Sequence, residues 1–149
     1  MKLSLVTVPN LVLTQTTKPI KVVDKKILQT VIEMKRVLNS CRDPEGVGLA
    51  APQVGKSLAL CIIKTEGKTY ILINPKIKSK SWKKEICEEG CLSFPGKFIP
   101  VKRSARVKVE ALDRNSKKVI LKVEGLLGRA FQHEIDHLNG ILYIEKEVK

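Results

Sequence analysis

The chain holds two histidines, and they stand four residues apart in His133-Glu134-Ile135-Asp136-His137. On a helix that spacing turns both imidazoles to one side, where they can grip a single ion with Glu134 beside its open position. An ion so held lowers the pKa of a bound water from 15.7 to about 7, and a neighbouring carboxylate can take the proton and pass it on. The chemistry implied is hydrolysis. A hydrolytic site needs a third protein ligand. The spacing HExxHxxGxxH, which would supply it as a histidine, meets Tyr143 instead, and Glu145 and Glu147 are the only acids beyond His137, with little chain left to turn back. The ligand is therefore expected upstream, and the thiolate of Cys91 in Glu88-Glu89-Gly90-Cys91-Leu92-Ser93 is the natural candidate.

Spacing alone leaves two other readings open. Cys87-x₃-Cys91 with His133-x₃-His137 could close all four positions of a structural zinc module that binds nucleic acid, and HExxH also occurs in peptidases that cut internal peptide bonds. The first leaves Glu134 without a task, and the second lacks its downstream ligand.

These residues must be positioned by elements that the periodicity outlines. From Asp24, a fitting N-cap, Ile27, Leu28, Val31, Met34, Val37 and Leu38 recur at helical spacing to Asn39-Ser40, and Asp43-Pro44 breaks the chain. The stretch from Gly46 to Gly55 has too much Gly and Pro for a regular element and is too apolar for a solvated loop, so a buried or ligand-facing loop is predicted. Leu58 to Ile63 and Thr69 to Ile73 flank Glu66-Gly67-Lys68 as a hairpin. Arg106 to Leu112 alternates with Val107, Val109 and Ala111 inward, Arg114-Asn115-Ser116 turns, and Val119, Leu121 and Val123 alternate back. Beyond Gly125 the period becomes helical, with Leu126, Ala130, His133 and His137 on one face and Asn139-Gly140 as the stop. The expected fold is α+β: a mainly antiparallel sheet packed around a carboxyl-terminal metal-binding helix, with a second, amino-terminal helix. One domain, residues 1–149, is expected from this length.

The amino terminus has no signal-peptide core and no apolar run reaches the ~18 residues of a membrane span, so a cytoplasmic protein is expected, or an organellar one whose leader has been removed. Without a signal, Cys41, Cys61, Cys87 and Cys91 read as thiols. The formal charge of +13 attracts polyanions, and its densest run is Lys76, Lys78, Lys80, Lys83 and Lys84 around Trp82, read as a solvated strand edge.

Three stretches carry a resemblance. Gly46-Val47-Gly48-Leu49-Ala50-Ala51-Pro52-Gln53, Glu89-Gly90-Cys91-Leu92-Ser93 and Gln132-His133-Glu134-Ile135-Asp136-His137-Leu138-x-Gly140 resemble, in order, the signature motifs of the peptide deformylase family. The similarity runs from about Leu3 to Glu145 and includes Val101-x-Arg103 and Gly125-Leu126-Leu127. It implies removal of the formyl group from the amino-terminal formylmethionine of nascent polypeptides, with one divalent ion, Fe²⁺ foremost and Zn²⁺, Ni²⁺ or Co²⁺ as substitutes. It implies metal ligands Cys91, His133 and His137, proton transfer by Glu134, and stabilisation of the developing oxyanion by the Gln53 side-chain amide and the Leu92 backbone N–H. The methionine side chain would lie against Val47, Leu126, Ala130 and the flank of His133, while Gly46, Gly48 and Gly90 let the peptide backbone approach. Glu89 with Arg103 is a candidate support pair and Asp136 a candidate group behind the ligands. The expected partner is a formylmethionyl nascent peptide, met by a monomer with no membrane contact. Bacterial members often continue into a further helix linked with ribosome docking; this chain stops at Lys149, which leaves contact with the ribosome to its basic charge. Gly128 stands where Ala is usual.

Overall fold

A computed structural model describes residues 2–41, 47–65 and 67–148. Helix α1, Lys25–Ser40, begins where the Asp24 carboxylate accepts the Ile27 N–H at 3.0 Å, and it ends at Cys41, whose N–H returns to the Leu38 carbonyl. Its buried face is Thr30, Val31, Met34, Val37 and Leu38, which keeps four residues of the predicted stripe and adds Thr30, while Ile27 and Leu28 are half-buried. The helical stop expected at Asp43-Pro44 and the site residue Gly46 lie outside the described residues.

Among the described residues seven strands follow: β1 Gly48–Ala50, β2 Leu60–Thr65, β3 Lys68–Lys80, β4 Lys84–Cys91, β5 Phe94–Ser104, β6 Arg106–Leu112 and β7 Lys118–Glu124. All pair antiparallel, in a five-stranded sheet of order β1-β2-β3-β6-β7 and a separate two-stranded sheet β4-β5. The predicted hairpin is β2-β3, shifted two residues towards the turn at its start, where Gly67 takes φ +80°. Two differences from expectation stand out. The Gly46–Gly55 stretch is not all loop: β1 pairs with β2, and a short 3-10 helix, Ala51–Val54, follows it with every residue buried. And the antiparallel strands form two sheets, because β5, which the sequence reading did not identify, pairs with β4 away from the larger sheet.

The five-stranded sheet is covered unequally. One face, carrying Ala50, Cys61, Ile63, Leu72, Val107, Val109 and Ala111, packs on Phe131, Ile135 and Leu138 of helix α2, Gly125–Leu138. The other face is covered at the β1-β2 end, where Leu49, Leu60, Ile62 and Ile73 meet α1 and the amino-terminal Leu3 and Ile20. Each such apolar side chain stabilises the fold by roughly 1.5–3 kcal/mol on burial. Beyond α2 a 3-10 helix, Tyr143–Lys146, returns to β5: Val148 donates to the Pro100 carbonyl at 2.9 Å and the Tyr143 hydroxyl to the Lys97 carbonyl at 2.7 Å. The two-stranded sheet is thus clamped to the rest by the end of the chain and by α2. Among the described residues no helix is long and apolar enough to cross a membrane.

Candidate metal centre and its cavity

Helix α2 is amphipathic, but its buried side carries polar groups. Gln132, His133, Glu134 and His137 are all buried on it. Such groups are tolerated inside only when something satisfies them, and each has a fixed place. Gln132 accepts the Ser104 N–H at 3.1 Å and donates to the Ser104 carbonyl at 2.9 Å, which locks α2 to the end of β5. His133 and His137 face Cys91 at the end of β4, and one ligand atom from each of the three lies within 4.8 Å of the others. Cys91 Sγ is 3.4 Å from His137 Nε2. Cys87, the fourth ligand that a closed structural site would require, is exposed and stands outside this cluster.

Behind the cluster stands Glu89. Its carboxylate pairs with His133 Nδ1 at 2.9 Å, Arg103 Nε and NH2 at 2.6 and 3.0 Å, and Arg129 NH1 at 2.6 Å. Arg103 reaches on to Asp136 at 2.8 Å. The expected Glu89–Arg103 pair is therefore formed and buried, and Asp136 belongs to it. Burial alone would raise the Glu89 carboxyl, but the hydrogen bonds with His133 and Arg103 outweigh it and bring it down to about 2. With His133 Nδ1 turned to this carboxylate, Nε2 is left for the cluster, the usual arrangement of a metal-ligating histidine.

The donor set fits a metal ion. One soft sulfur and two imidazoles suit zinc, iron and their neighbours better than magnesium or calcium. Burial lowers the His133 imidazole, yet the neighbouring Cys91 and Glu89 outweigh this and raise it to about 10, so the surroundings favour the protonated, positive ring. Burial and the nearby His133 charge hold His137 well below its ordinary value. A divalent ion satisfies the same demand by displacing that proton. Glu134 Oε1 is buried and makes no hydrogen bond among the described residues, which leaves an oxygen beside the cluster free to take a proton from solvent or substrate. Burial raises this carboxyl to about 7, against the pull of the His133 and Arg103 charges.

Gln53 projects from the buried 3-10 helix. Its Oε1 accepts the Ala50 N–H at 2.9 Å, and this fixes Nε2 towards Ser93 Oγ at 3.2 Å and Cys91 Sγ at 3.6 Å. A cavity of about 330 Å³ opens above these groups, lined by Val47, Gly48, Gln53, Gly90, Cys91, Leu92, Leu126, Ala130, His133 and Glu134, so the fold gathers every described site residue named from the sequence except His137, which lies beneath. Leu126 is 78% and Val47 54% exposed, which makes them the rim of the cavity and not core. Two glycines make room for side chains: a Cβ on Gly48 would stand 2.6 Å from Glu134 Oε2, and one on Gly90 would stand 2.5 Å from the Phe98 ring.

Phe98 and Arg129 also line the cavity and were not anticipated. Phe98 lies on the unidentified β5. Arg129 stands one turn before His133, the position from which a helical side chain reaches the ligand's surroundings, and that spacing was its available signal. It also donates to the Val101 and Glu85 carbonyls at 3.0 and 2.8 Å, tying α2 to both strands of the smaller sheet. Tyr143, met in the sequence as the residue in place of a third histidine, is 2% exposed with its ring 5.7 Å from that of His133.

An α+β fold that sets a thiol and two imidazoles under a cavity, with an unpaired carboxyl alongside, defines a metal-dependent hydrolase. Comparison with known proteins narrows the class. Residues 2–149 match the family model for polypeptide deformylase, and the chain belongs to that family. It is 48% identical over 140 residues to the peptide deformylase of Halothermothrix orenii, covering 93% of this chain and 88% of that one. With the peptide deformylase of Lachnoclostridium phytofermentans it shares 49% identity over 138 residues, 91% of this chain and 82% of the other. Among solved structures, the peptide deformylase of Synechococcus elongatus in complex with actinonin superposes with a TM-score of 0.94 at 39% identity, over 99% of this chain and 79% of that one. The Thermotoga maritima enzyme superposes at 0.93 with 35% identity, over 100% and 99% of the two chains.

Proposed function

We propose that the chain, acting as a single-domain monomer, hydrolyses the formyl group from the amino-terminal formylmethionine of nascent polypeptides, with Fe²⁺ as the native ion. The observation that carries this reading is the Cys91, His133 and His137 cluster with the unpaired Glu134 carboxyl beside it. These three residues would hold the ion, and when bound it supplies Lewis acidity that lowers the pKa of a water from 15.7 to about 7. Thiolate and imidazole donors support iron and equally admit Zn²⁺, Ni²⁺ or Co²⁺.

The remaining work falls to the chain. Glu134 takes the proton of the attacking water and delivers it to the departing amine, for which a carboxyl poised near neutrality is suited. As the formyl carbonyl is attacked its oxygen becomes anionic, and the Gln53 amide and the Leu92 backbone N–H are the donors we assign to it. One such donor contributes about 3–4 kcal/mol. Val47, Leu126 and Ala130 with the flank of His133 form the proposed seat for the methionine side chain. The peptide backbone would run past Gly48 and Gly90, and Gly46 is assigned with them from its motif. Formate and a free amino terminus result. The charge of +13 supports work beside a polyanionic body, for which we propose the ribosome surface.

Formate release from a formyl-Met-Ala-Ser peptide tests this reading, using protein prepared without oxygen and loaded separately with Fe²⁺, Ni²⁺ and Zn²⁺. Release is expected with at least Fe²⁺ and Ni²⁺. Silence with all three would contradict it.

A further inference from the structure

The uncovered half of the five-stranded sheet has no task in the chemistry of the cavity, and its composition is unusual. At the β3-β6-β7 end an open groove of about 630 Å³ is lined by Arg106, Lys108 and Lys122, which face away from α2, by Lys80 at its edge, and by one acid, Glu124, opposite Arg106 across the β6-β7 ladder. Lys108 and Lys122 stand directly opposite each other across the β6-β7 ladder. Like charges in that position destabilise a sheet. Of the groove's cations, none has a carboxylate within salt-bridge distance among the described residues. A fold that retains two lysines directly opposite each other, in a groove with four cations and one acid, breaks a local rule, and such breaks mark functional surfaces.

A second observation lies at the groove's rim. Trp82 is 97% exposed at the tip of the β3-β4 turn, so its indole packs on nothing. Yet the turn that carries it is held: Ser81 N donates to the Arg106 carbonyl at 2.8 Å, Arg106 N donates to Ser81 Oγ at 3.0 Å, and Ser81 Oγ donates to the Lys83 carbonyl at 2.9 Å. An indole held out in solvent beside a cationic groove is the pairing that single-stranded nucleic acid uses, with bases stacked on the aromatic face and phosphates tracked by the cations.

We propose that this groove binds single-stranded RNA, its phosphates lying along Arg106, Lys108 and Lys122 and one base stacked on Trp82. A membrane surface fits less well, because a bilayer engages a broad flat face and this site is a groove with a single aromatic at one end. The surface is built on the sheet face that α2 does not cover, so binding there is separable from hydrolysis in the cavity.

Trp82 is the sole tryptophan of the chain, so its emission reports on this site alone. The metal-loaded protein is titrated with a 12-nucleotide uridine-rich RNA at several salt concentrations, following both oligonucleotide anisotropy and tryptophan emission. Expected are saturable binding, quenching of Trp82, and a log–log salt slope that flattens by about 1.4 in K108Q/K122Q, at 0.7 per phosphate contact. Trp82→Ala should weaken binding roughly tenfold, as the loss of one stacked base does. K108Q/K122Q should melt no lower than the parent, since it removes a repulsion, and should release formate at the parent's rate. Binding with no quenching, a double variant that binds as the parent does, or binding to phosphatidylglycerol vesicles in preference to the RNA would each overturn the proposal.

Discussion

Glu89 receives more hydrogen bonds than any other single side chain around the centre, and its value follows from what each alternative would leave behind. One carboxylate answers His133, Arg103 and Arg129 in the interior. Removing one partner of a buried charge pair is more damaging than the pair itself is stabilising, commonly by 3–5 kcal/mol, because the remaining charge is left without compensation. The sign of the pH dependence is fixed by the direction of the shift. A carboxyl at 4.5 in the unfolded chain and about 2 in the folded one adds stability that is complete above about pH 4.5 and lost as the pH falls towards 2. That contribution is roughly 3 kcal/mol, counting 1.36 kcal/mol per unit. Glu89→Gln should therefore lower the denaturant midpoint at neutral pH and flatten its fall between pH 4.5 and 2. It should also weaken metal binding by about 10- to 100-fold, since His133 loses the partner that orients its ring. An unchanged acid limb would show that another carboxylate governs it.

At the scale of elements, the centre lies where three pieces of chain converge: the end of β4 brings Cys91, the 3-10 helix after β1 brings Gln53, and α2 brings both histidines and Glu134. The close approach of β1 to α2 depends on Gly48, whose Cβ position is already taken by the Glu134 carboxylate. Gly48→Ala must push that carboxylate aside. We expect a fold and metal content close to the parent's, with formate release reduced by at least tenfold; an active Gly48→Ala enzyme would show that Glu134 works from another rotamer. Both helices, the β2-β3 hairpin and the β6-β7 pair were legible because their apolar residues keep one period over their whole length. β5 was not, because Pro95, Gly96 and Pro100 within it are each signals against a strand. They are accommodated because a two-stranded sheet leaves each strand an open edge on which a missing N–H is not needed. Arg129 escaped notice for a different reason. A charged residue on a helix reads as solvent-facing until the carbonyls and carboxylate that receive it are placed by strands far away in sequence.

At the scale of the molecule, the sheet separates two tasks by facing two ways. α2 and the smaller sheet enclose the cavity on one side, while the uncovered basic half of the larger sheet looks to the other. The charge of the chain was plain from its sequence, but the facing of Lys108 and Lys122 in one groove was not, because they meet only through strand register. The Cys91, His133 and His137 cluster was legible, since two of the three motifs carry it, whereas the charges behind it emerged only in three dimensions. The central claim is that Glu134 moves the proton and does not hold the ion. Formate release by Glu134→Gln, measured with its metal content confirmed equal to the parent's, tests this most directly. The account predicts one ion per chain and a rate lower by roughly 10²–10⁴-fold, the span of a lost general acid-base group; a fully loaded variant that releases formate at the parent's rate would contradict it.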